Sequence, residues 1–424
     1  MCIYIIFNEV DCIDMVTANE DNKNKTTDAT DTNENVSLIS VERYILHLIR
    51  CSLHGEIPDR LPNDCSWDMV QKLAEFNKVT SSISPAIKSY GYDIPDDVAK
   101  HFESAISSTI YRIAMFDMER EAVIDDGVKE GLRFLPLKGI LLAGYYPVPG
   151  MRWMCDNDIL YGRMSDTSAD GSATESLKHI FESHGFTTES VGGVHDVFQK
   201  KPFFDFEMHS RLVGEDSDFA AYYSNPWKRA VQVPGKVGEY RFSKEDEYIF
   251  MLVHAFKHFD AGGCGIRTLV DEYVFISHNN SMDWDYIEAQ LDEIGIKDFT
   301  DFAKRLNSVA FDVFSDEGVL TDTDWKMISY MFSSGTYGLV SNRIRHSIDK
   351  IRDKEHLDGA KARRQYLKER IWLSEKQLKV SAPFFYRHKN LRFIFPLYRV
   401  VRGALVHPKE LLYELRHVRK YDKE

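Results

Sequence analysis

Acidic residues at three positions of this sequence could together bind a divalent cation. Asp156 and Asp158 lie two residues apart in an apolar run, and residues two apart on a β-strand point to the same face. Glu207 lies in a later segment, Phe203–His209, where apolar and polar residues alternate with the period of a strand. If these strands are neighbours, the three carboxylates form one cluster, which a bound cation would stabilise. Hard oxygen ligands favour Mg²⁺ or Mn²⁺.

Three further polar residues are candidates for the same site. Asp205 has the same strand parity as Glu207 and is the nearest alternative for the third acid. His209, two residues after Glu207, could orient that acid or contact substrate, and His195 could face the same cleft. Each of these three could equally be an ordinary polar residue on an exposed strand face.

The segment before the first two acids is a candidate phosphate-binding turn. A short apolar run ends at Lys138-Gly139, and the apolar residues Ile140–Tyr146 are predicted to form a helix that Pro147 stops. The N–H groups and the dipole of a helix N-terminus bind phosphate. Lys138 could neutralise a triphosphate. Arg152 could grip a phosphate with two nitrogens, or it could hold the acid strand through a structural ion pair.

These motifs, in the order Leu-Lys-Gly, Tyr-Pro-x-Pro-Gly-x-Arg, Asp-x-Asp and Glu-x-His, resemble those of the uncharacterised nucleotidyltransferase family. That family belongs to the polymerase-β-like nucleotidyltransferase superfamily, and the resemblance extends over roughly residues 40–310. It implies metal-dependent transfer of a nucleoside monophosphate from an NTP to an acceptor hydroxyl. Asp156, Asp158 and Glu207 would be the catalytic metal ligands, and Lys138, Gly139 and Arg152 would contact the nucleotide.

The resemblance also implies that a later pair of helices lines the nucleotide cleft. His258 and Arg267 are the expected nucleotide contacts there, with Asp271 beside them. A plainer alternative is that Arg267 and Asp271 form an ion pair four residues apart on one helix. His254 and His258 have a spacing that can bind zinc, but Ala255 stands where a zinc protease requires glutamate, so a protease is disfavoured. His254 is expected to be a core residue.

Composition sets the broad class of the protein. The 424 residues are 43% apolar, which is enough for substantial cores, and the net charge of −13 disfavours a protein that coats nucleic acid. The six cysteines form no Cys-x-x-Cys pair, which argues against structural zinc and a disulfide framework and favours a reducing cytoplasm. The apolar residues Met1–Phe7 are too short for a signal peptide, and no run approaches the roughly 20 apolar residues of a membrane span.

The pattern along the chain predicts an α+β fold in which a small mixed sheet is flanked by N- and C-terminal helical regions. We predict a disordered polar tail over residues 1–38, a helical region over 39–128 and the nucleotidyltransferase core over 129–215. A helical region that closes the cleft is predicted over 216–340, and a basic helical region over 341–424.

Local signals predict smaller features. Ser66 and Ser243 precede helical patterns and are predicted N-caps. Ser165–Ser172 is predicted to be an exposed loop, and Lys200-Lys201-Pro202 to be the turn between two strands.

The C-terminal region is the strongest charge asymmetry in the chain. Residues 361–424 contain 17 Lys and Arg against 6 Asp and Glu, interleaved with aromatic residues from Phe384 to Tyr398. Packing of an amphipathic helical surface is the expected explanation. A surface for membrane lipid or an anionic polymer such as nucleic acid is the alternative.

Two other functions are compatible with the same residues. Asn157 between the two acids and the Lys138-Gly139 turn differ from the usual superfamily pattern, so a catalytically silent nucleotide sensor or assembly protein is the main alternative. The other is a protein that binds an anionic polymer or a membrane surface through the basic residues 361–424. The sequence leaves the acceptor and the nucleotide preference open.

Overall fold

The structure, a computed structural model, describes residues 30–165, 172–312, 318–336, 338–375, 377–378 and 382–421. The chain divides into two compact units. The larger unit consists of Ser37–Phe256 and Ile266–Phe332 and contains the candidate site. The smaller unit consists of Lys257–Gly265 and the described parts of Met1–Val36 and Ser333–Glu424. The domain boundaries that the sequence suggests stay predictions.

Four helices precede the sheet: α1 Thr30–His54, α2 Trp67–Phe76, α3 Thr80–Lys88 and α4 Asp96–Lys129. Ser66 caps α2 as predicted, because its hydroxyl accepts the backbone N–H of Met69 at 3.3 Å. Helix α1 begins at Thr30, inside the segment predicted to be a disordered tail. Once the amphipathic turns after Val41 are helical, each earlier residue adds one hydrogen bond for one residue ordered. The rest of the predicted tail, residues 1–29, lies outside the described residues.

A five-stranded sheet forms the centre of the larger unit: β1 Leu132–Pro136, β2 Asn157–Arg163, β3 Thr187–Ser190, β4 His195–Lys200 and β5 Phe204–His209. Its order is β1-β2-β5-β4-β3. Strands β2 and β5 are parallel, and the other three pairings are antiparallel. The predicted α+β class with a small mixed sheet is therefore confirmed.

The connections follow from simple chain geometry. Antiparallel β4 and β5 are joined by the turn predicted at Lys200-Lys201-Pro202. Parallel β2 and β5 need a longer crossover, which contains helix α6, Ser172–Ser183, ended near Gly185. The predicted polar loop Ser165–Ser172 lies mostly outside the described residues.

The two faces of β5 separate apolar from polar chemistry. Phe204, Phe206 and Met208 are buried in a cluster with Phe116 of α4 and Phe181 of α6. Alternation along the strand therefore turns Asp205, Glu207 and His209 to the opposite face, as the sequence predicted. This burial fixes the register, because a slip of one residue would bury the polar set instead.

Two short strands and a series of helices follow the sheet: β6 Ala230–Gln232, β7 Tyr240–Phe242, α7 Lys244–Gly262, α8 Arg267–His278, α9 Trp284–Glu293, α10 Lys297–Phe311 and α11 Asp322–Ser334. The Ser243 hydroxyl caps α7 as predicted, by accepting the N–H of Asp246 at 3.1 Å. Helices α7 and α8 contribute Tyr248 and Phe275 to a buried cluster that also contains Leu160 of β2. The sheet face that carries the acids is thereby flanked by helices.

The smaller unit contains α12 Val340–Glu355, α13 Gly359–Ile371, α14 Pro383–Arg387, α15 Phe395–Val406 and α16 Pro408–Lys420. Ile344, Ile348 and Tyr366 belong to its buried cluster. Among the C-terminal aromatic residues Phe395 is buried, whereas Phe393 is 72% exposed. Packing therefore accounts for only part of this aromatic run.

Among the helices of the described ranges, none combines the length and apolar character needed to cross a bilayer.

A buried carboxyl between α7 and α8 predicts how stability changes with pH. Glu272 is 2% exposed, accepts a 2.8 Å hydrogen bond from the Tyr248 hydroxyl, and has its pKa raised by burial from 4.5 to about 7. Since the folded state binds this proton more tightly, its stabilisation is full below pH 4.5 and is lost as pH rises to about 7. Glu272→Gln should abolish this loss. Between pH 4.5 and about 7 the free energy of unfolding of wild type should therefore fall by about 3 kcal/mol relative to that of the variant.

Urea denaturation at a series of pH values measures this difference. Glu288→Gln, on an exposed carboxyl of α9, is the matched control and should follow the wild-type curve. A constant difference between Glu272→Gln and wild type at every pH would contradict the prediction.

Candidate active site

Two of the predicted acids lie side by side on paired strands. Parallel pairing of β2 with β5 sets Asp158 directly opposite Glu207. The expectation that the Glu207 strand lies beside the Asp158 strand is therefore confirmed. Asp156 immediately precedes β2 and is half-buried. The three acids therefore lie close together in a poorly solvated region where the interior strands β2 and β5 pair.

Lys138 lies beside these acids and contacts Asp158. Its Nζ donates a 2.9 Å hydrogen bond to Asp158 Oδ1, and both side chains are largely buried. The backbone next to it is fixed as well, because the N–H of Leu137 donates to the carbonyl of Asp158 at 2.9 Å. The ammonium group thus supplies positive charge where a cation would be needed.

The backbone at Lys138 has a conformation that residues with a Cβ rarely adopt. Its φ is +46° and its ψ is −115°. Such strain costs of order 1–3 kcal/mol and persists only where the surroundings hold the residue in place. Here the ion pair with Asp158 and the strand hydrogen bond of Leu137 do so. In this conformation the lysine side chain reaches Asp158.

Two histidines complete the polar face. His209 is 5% exposed, and its Nε2 lies 2.8 Å from Asp158 Oδ1. Because a carboxylate oxygen only accepts, this nitrogen carries the proton. The Nε2 atoms of His209 and His195 each lie 3.8 Å from Glu207 Oε2. His195, Glu207 and His209 have ligand atoms all within 4.8 Å of one another. Among the described residues the three acids alone do not form a group that tight.

The electrostatics show an excess of negative charge. Burial, then the neighbouring Asp158 and Asp156, raises the pKa of Glu207 to about 8. Burial and Asp158 also raise the pKa of Asp156. Burial opposes ionisation of Asp158 too, but Lys138 and the His209 hydrogen bond outweigh it and hold that pKa below its usual range. One lysine therefore stabilises the charge of one acid and leaves the other two short of positive partners.

Arg112, which the sequence analysis did not single out, ties the two acid-bearing segments together. Its Nε donates to the carbonyl of Met154 at 2.6 Å, and its Nη2 donates to those of Cys155 and Phe203 at 2.8 and 3.0 Å. These carbonyls lie just before β2 and β5. A lone arginine in a long amphipathic helix carries no sequence signal for this role, because its acceptors are backbone atoms of distant segments.

Arg152 forms a buried ion pair with Asp271. Its Nε and Nη2 donate to the two carboxylate oxygens of Asp271 at 2.7 and 2.9 Å, and the Tyr146 hydroxyl donates to Oδ1 at 2.7 Å. This is the structural alternative that the sequence offered to phosphate binding, although the partner is Asp271 and not the acid strand. The plainer alternative, an ion pair of Arg267 with Asp271, is not formed among the described residues; Arg267 donates to the carbonyl of Trp153.

Gly139 lies directly beneath this ion pair. A Cβ added there would come 2.8 Å from Arg152 Nη1, so a larger residue would displace the guanidinium that pairs with Asp271. The predicted helix over Ile140–Tyr146 is shorter than expected. Helix α5 covers Gly139–Leu142 and continues as a 3₁₀ turn, Ala143–Tyr145. Tyr146 is extended, with ψ of 139°, as expected for a residue before proline, and its hydroxyl donates to Asp271.

The remaining predicted nucleotide contacts are divided between the units. Arg267 begins α8, donates to the carbonyl of Trp153 at 3.3 Å, and is among the charges that lower the pKa of Asp156. It is therefore close to the acids. His258 belongs to the smaller unit, and its role in nucleotide binding stays a prediction. His254 is half-buried on α7.

Asn157 points away from the acids, toward α4. It is fully buried and its Oδ1 accepts a 2.9 Å hydrogen bond from Arg120 Nη1. Strand alternation separates it from Asp158. Its polar character is therefore explained by Arg120 and does not alter the acid cluster.

Comparison with known families shows which family the chain belongs to. The model of a family described as "Uncharacterised nucleotidyltransferase" matches residues 63–312, which span both acid-bearing strands, Lys138, Arg152 and Arg267. Comparison with curated proteins gives no match, and comparison with solved structures gives none either.

The Arg152–Asp271 ion pair predicts a structural effect. Arg152→Met leaves a buried carboxylate without its cation, which should lower the free energy of unfolding by about 3–5 kcal/mol. The double variant Arg152→Met/Asp271→Leu should recover most of that loss, because it removes the charge as well. Urea denaturation of the two variants and wild type measures this. Unchanged stability of Arg152→Met would contradict a structural role.

The Lys138–Asp158 ion pair predicts a link between this lysine and cations. Lys138→Met removes the positive partner of Asp158, so the protein should lose about 3 kcal/mol of stability without divalent ions. Saturating Mg²⁺ should then raise its melting temperature more than that of wild type, because the ion replaces the missing charge.

Lys200→Met is the matched control, since Lys200 pairs with Glu119 across the opposite sheet face. It should be destabilised without regaining stability from Mg²⁺. Equal Mg²⁺ shifts for Lys138→Met and Lys200→Met would show that Asp158 does not attract the ion.

Proposed function

Because the chain belongs to the uncharacterised nucleotidyltransferase family, we propose that it is a metal-dependent enzyme that moves a nucleoside monophosphate from an NTP to an acceptor hydroxyl. The observation that carries this proposal is the register of β2 and β5, which sets Asp158 opposite Glu207 with Lys138 against them. Asp156 at the entrance to β2 supplies the third acid.

The residues present fit a hard divalent cation. Asp158 and Glu207 are cross-strand neighbours, and Asp156 is near enough for its charge to raise the pKa of Glu207, so side-chain movement could bring the three carboxylates onto one ion. The lysine ammonium supplies positive charge at Asp158. Asp156, Asp158 and Glu207 would hold Mg²⁺ or Mn²⁺. When bound, such ions would activate the acceptor hydroxyl and neutralise the charge of the departing pyrophosphate.

The protein's own groups would orient the triphosphate. Lys138 has an ammonium group that could move from Asp158 to the β- and γ-phosphates as cations take over the carboxylate. The backbone at Gly139 lies beside it, and Arg267 adds a positive charge near Asp156. Arg152 would act indirectly, because its ion pair with Asp271 holds the guanidinium against Gly139.

Proton transfer from the acceptor hydroxyl requires a carboxylate within the cluster. Glu207 is the simplest candidate, because its side chain is 19% exposed and can be reached from solvent, whereas that of Asp158 is 6% exposed and paired with Lys138. His209 would orient Asp158 through its 2.8 Å hydrogen bond.

The alternative is a catalytically silent nucleotide sensor or assembly protein of the same fold. The Lys138–Asp158 ion pair favours it, because a lysine that never leaves Asp158 would obstruct cation binding. The altered residue Asn157 no longer favours it, since its side chain faces Arg120. A sensor would bind NTP without releasing pyrophosphate.

The acceptor, the nucleotide preference and a cytoplasmic location stay predictions. Cys51, Cys65 and Cys155, among the described residues, are free thiols. Nucleic acid is a less expected acceptor given the net charge of −13, and the basic region 361–424 is where such a contact would lie.

The test is transfer from α-labelled NTPs, with Mg²⁺ or Mn²⁺, to panels of small-molecule, protein and RNA acceptors, read as label incorporation and pyrophosphate release. Asp158→Asn should lower the rate by roughly 100-fold or more, because it removes a charged ligand. Asp205→Asn is the matched control on the neighbouring strand. Its Oδ2 accepts from Gln199 at 3.2 Å, and the rate should change little.

NTP binding by calorimetry separates the two functions. Binding with no turnover on any acceptor, or equal rates for wild type and Asp158→Asn, would contradict the transferase proposal.

A further inference from the structure

The polar sheet face carries a second ligand set that contains nitrogen as well as oxygen. Antiparallel pairing of β4 and β5 sets His195 directly opposite His209, and Glu207 lies two residues before His209 on the same face. The two imidazole rings have centroids 5.1 Å apart. We propose that His195, Glu207 and His209 bind a transition-metal dication of the Zn²⁺ class.

The distances suit an ion better than direct contacts between the side chains. Both Nε2 atoms lie 3.8 Å from Glu207 Oε2, which is too long for a hydrogen bond. A tetrahedral ion with bonds of about 2.1 Å places its ligand atoms about 3.4 Å apart. The two nitrogen–oxygen distances are within about half an ångström of that value, and the two nitrogens lie within 4.8 Å of each other. His209 would also have to turn its Nε2 from Asp158 Oδ1 toward the ion.

The ligand types select the metal. Imidazole nitrogen binds Zn²⁺ and its neighbours in the first transition row well, whereas Mg²⁺ prefers oxygen ligands in octahedral geometry. Two histidines with one glutamate is a ligand set that zinc uses where it keeps a further position open. This set therefore differs from Asp156, Asp158 and Glu207, with which it shares one carboxylate.

The surroundings position the ligands and leave an approach to them. The His209 side chain is 6% exposed, while those of His195 and Glu207 are 27% and 19% exposed, so an ion could enter from the His195 side. Binding would exchange the Nε2 proton of His209 for the ion, and the neutral ring would carry its proton on Nδ1. Asp158 Oδ1, 2.8 Å from that Nε2, would keep its hydrogen bond from Lys138.

The experiment titrates metal-free, full-length protein with Co²⁺, without nucleotide, and records visible absorption. We expect one Co²⁺ per chain with the intense bands of a four- or five-coordinate site. Zn²⁺ should displace it at equimolar concentration, while a large excess of Mg²⁺ should not. Absence of stoichiometric binding, or ready displacement by Mg²⁺, would overturn the proposal.

Substitutions locate the ion. His195→Gln and His209→Gln should each weaken Co²⁺ binding at least about 10-fold. His184→Gln removes a histidine that pairs with the single carboxylate of Asp126, and it should bind like wild type. Circular dichroism confirms folding. If the buried His209 variant does not fold, the partly exposed His195 variant decides.

Wild-type affinity in His195→Gln would mean that the ion binds elsewhere and would overturn the assignment. Since no nucleotide is present, this outcome is independent of the transferase proposal. Transfer could fail while Co²⁺ binding is intact, and the reverse could also occur.

Discussion

The ion pair between Lys138 and Asp158 is the interaction on which the candidate site depends. Three acids lie close together where the interior strands β2 and β5 pair, and a buried lysine offsets the charge of one of them. Strands β2 and β5 cannot bring these carboxylates together without compensating charge, because burial raises the cost of every unpaired negative group. Lys138 supplies part of that compensating charge from a strained backbone conformation. A bound cation would offset the negative charge that remains.

Two further arginines hold this arrangement without touching the acids. Arg112 reaches from helix α4 to the carbonyls at the entrances of both acid-bearing strands. Arg152 connects the segment between β1 and β2 to helix α8 through Asp271, and its guanidinium passes over Gly139. The site is therefore fixed by elements on both sides of the sheet. Its precision comes from buried ion pairs and backbone contacts, not from the short helix α5 alone.

Alternation and local chemistry made part of this structure predictable. The period-2 pattern of Phe203–His209 predicted both the strand and the face on which Glu207 lies. The pairing of β2 with β5 was conditional on neighbouring strands, and the structure confirms it. Caps at Ser66 and Ser243 followed from hydroxyl groups placed before helical patterns.

Partners distant in sequence could not be predicted in this way. Arg152 and Asp271 are 119 positions apart, and only the packing of α8 decides that they meet. Arg112 binds carbonyls, which every residue has, so its side chain gives no local clue to its acceptors. The sequence also did not predict that the helical turns after Gly139 change to 3₁₀ geometry at Ala143.

The most direct test of the central claim is a crystal structure of the protein with Mn²⁺ and a non-hydrolysable NTP, read by anomalous scattering at the manganese edge. We expect an anomalous peak within bonding distance of carboxylate oxygens of both Asp158 and Glu207, with Lys138 Nζ moved from Asp158 to a phosphate oxygen. A peak away from these carboxylates, or nucleotide bound while Lys138 still contacts Asp158 and no ion is present, would contradict the account.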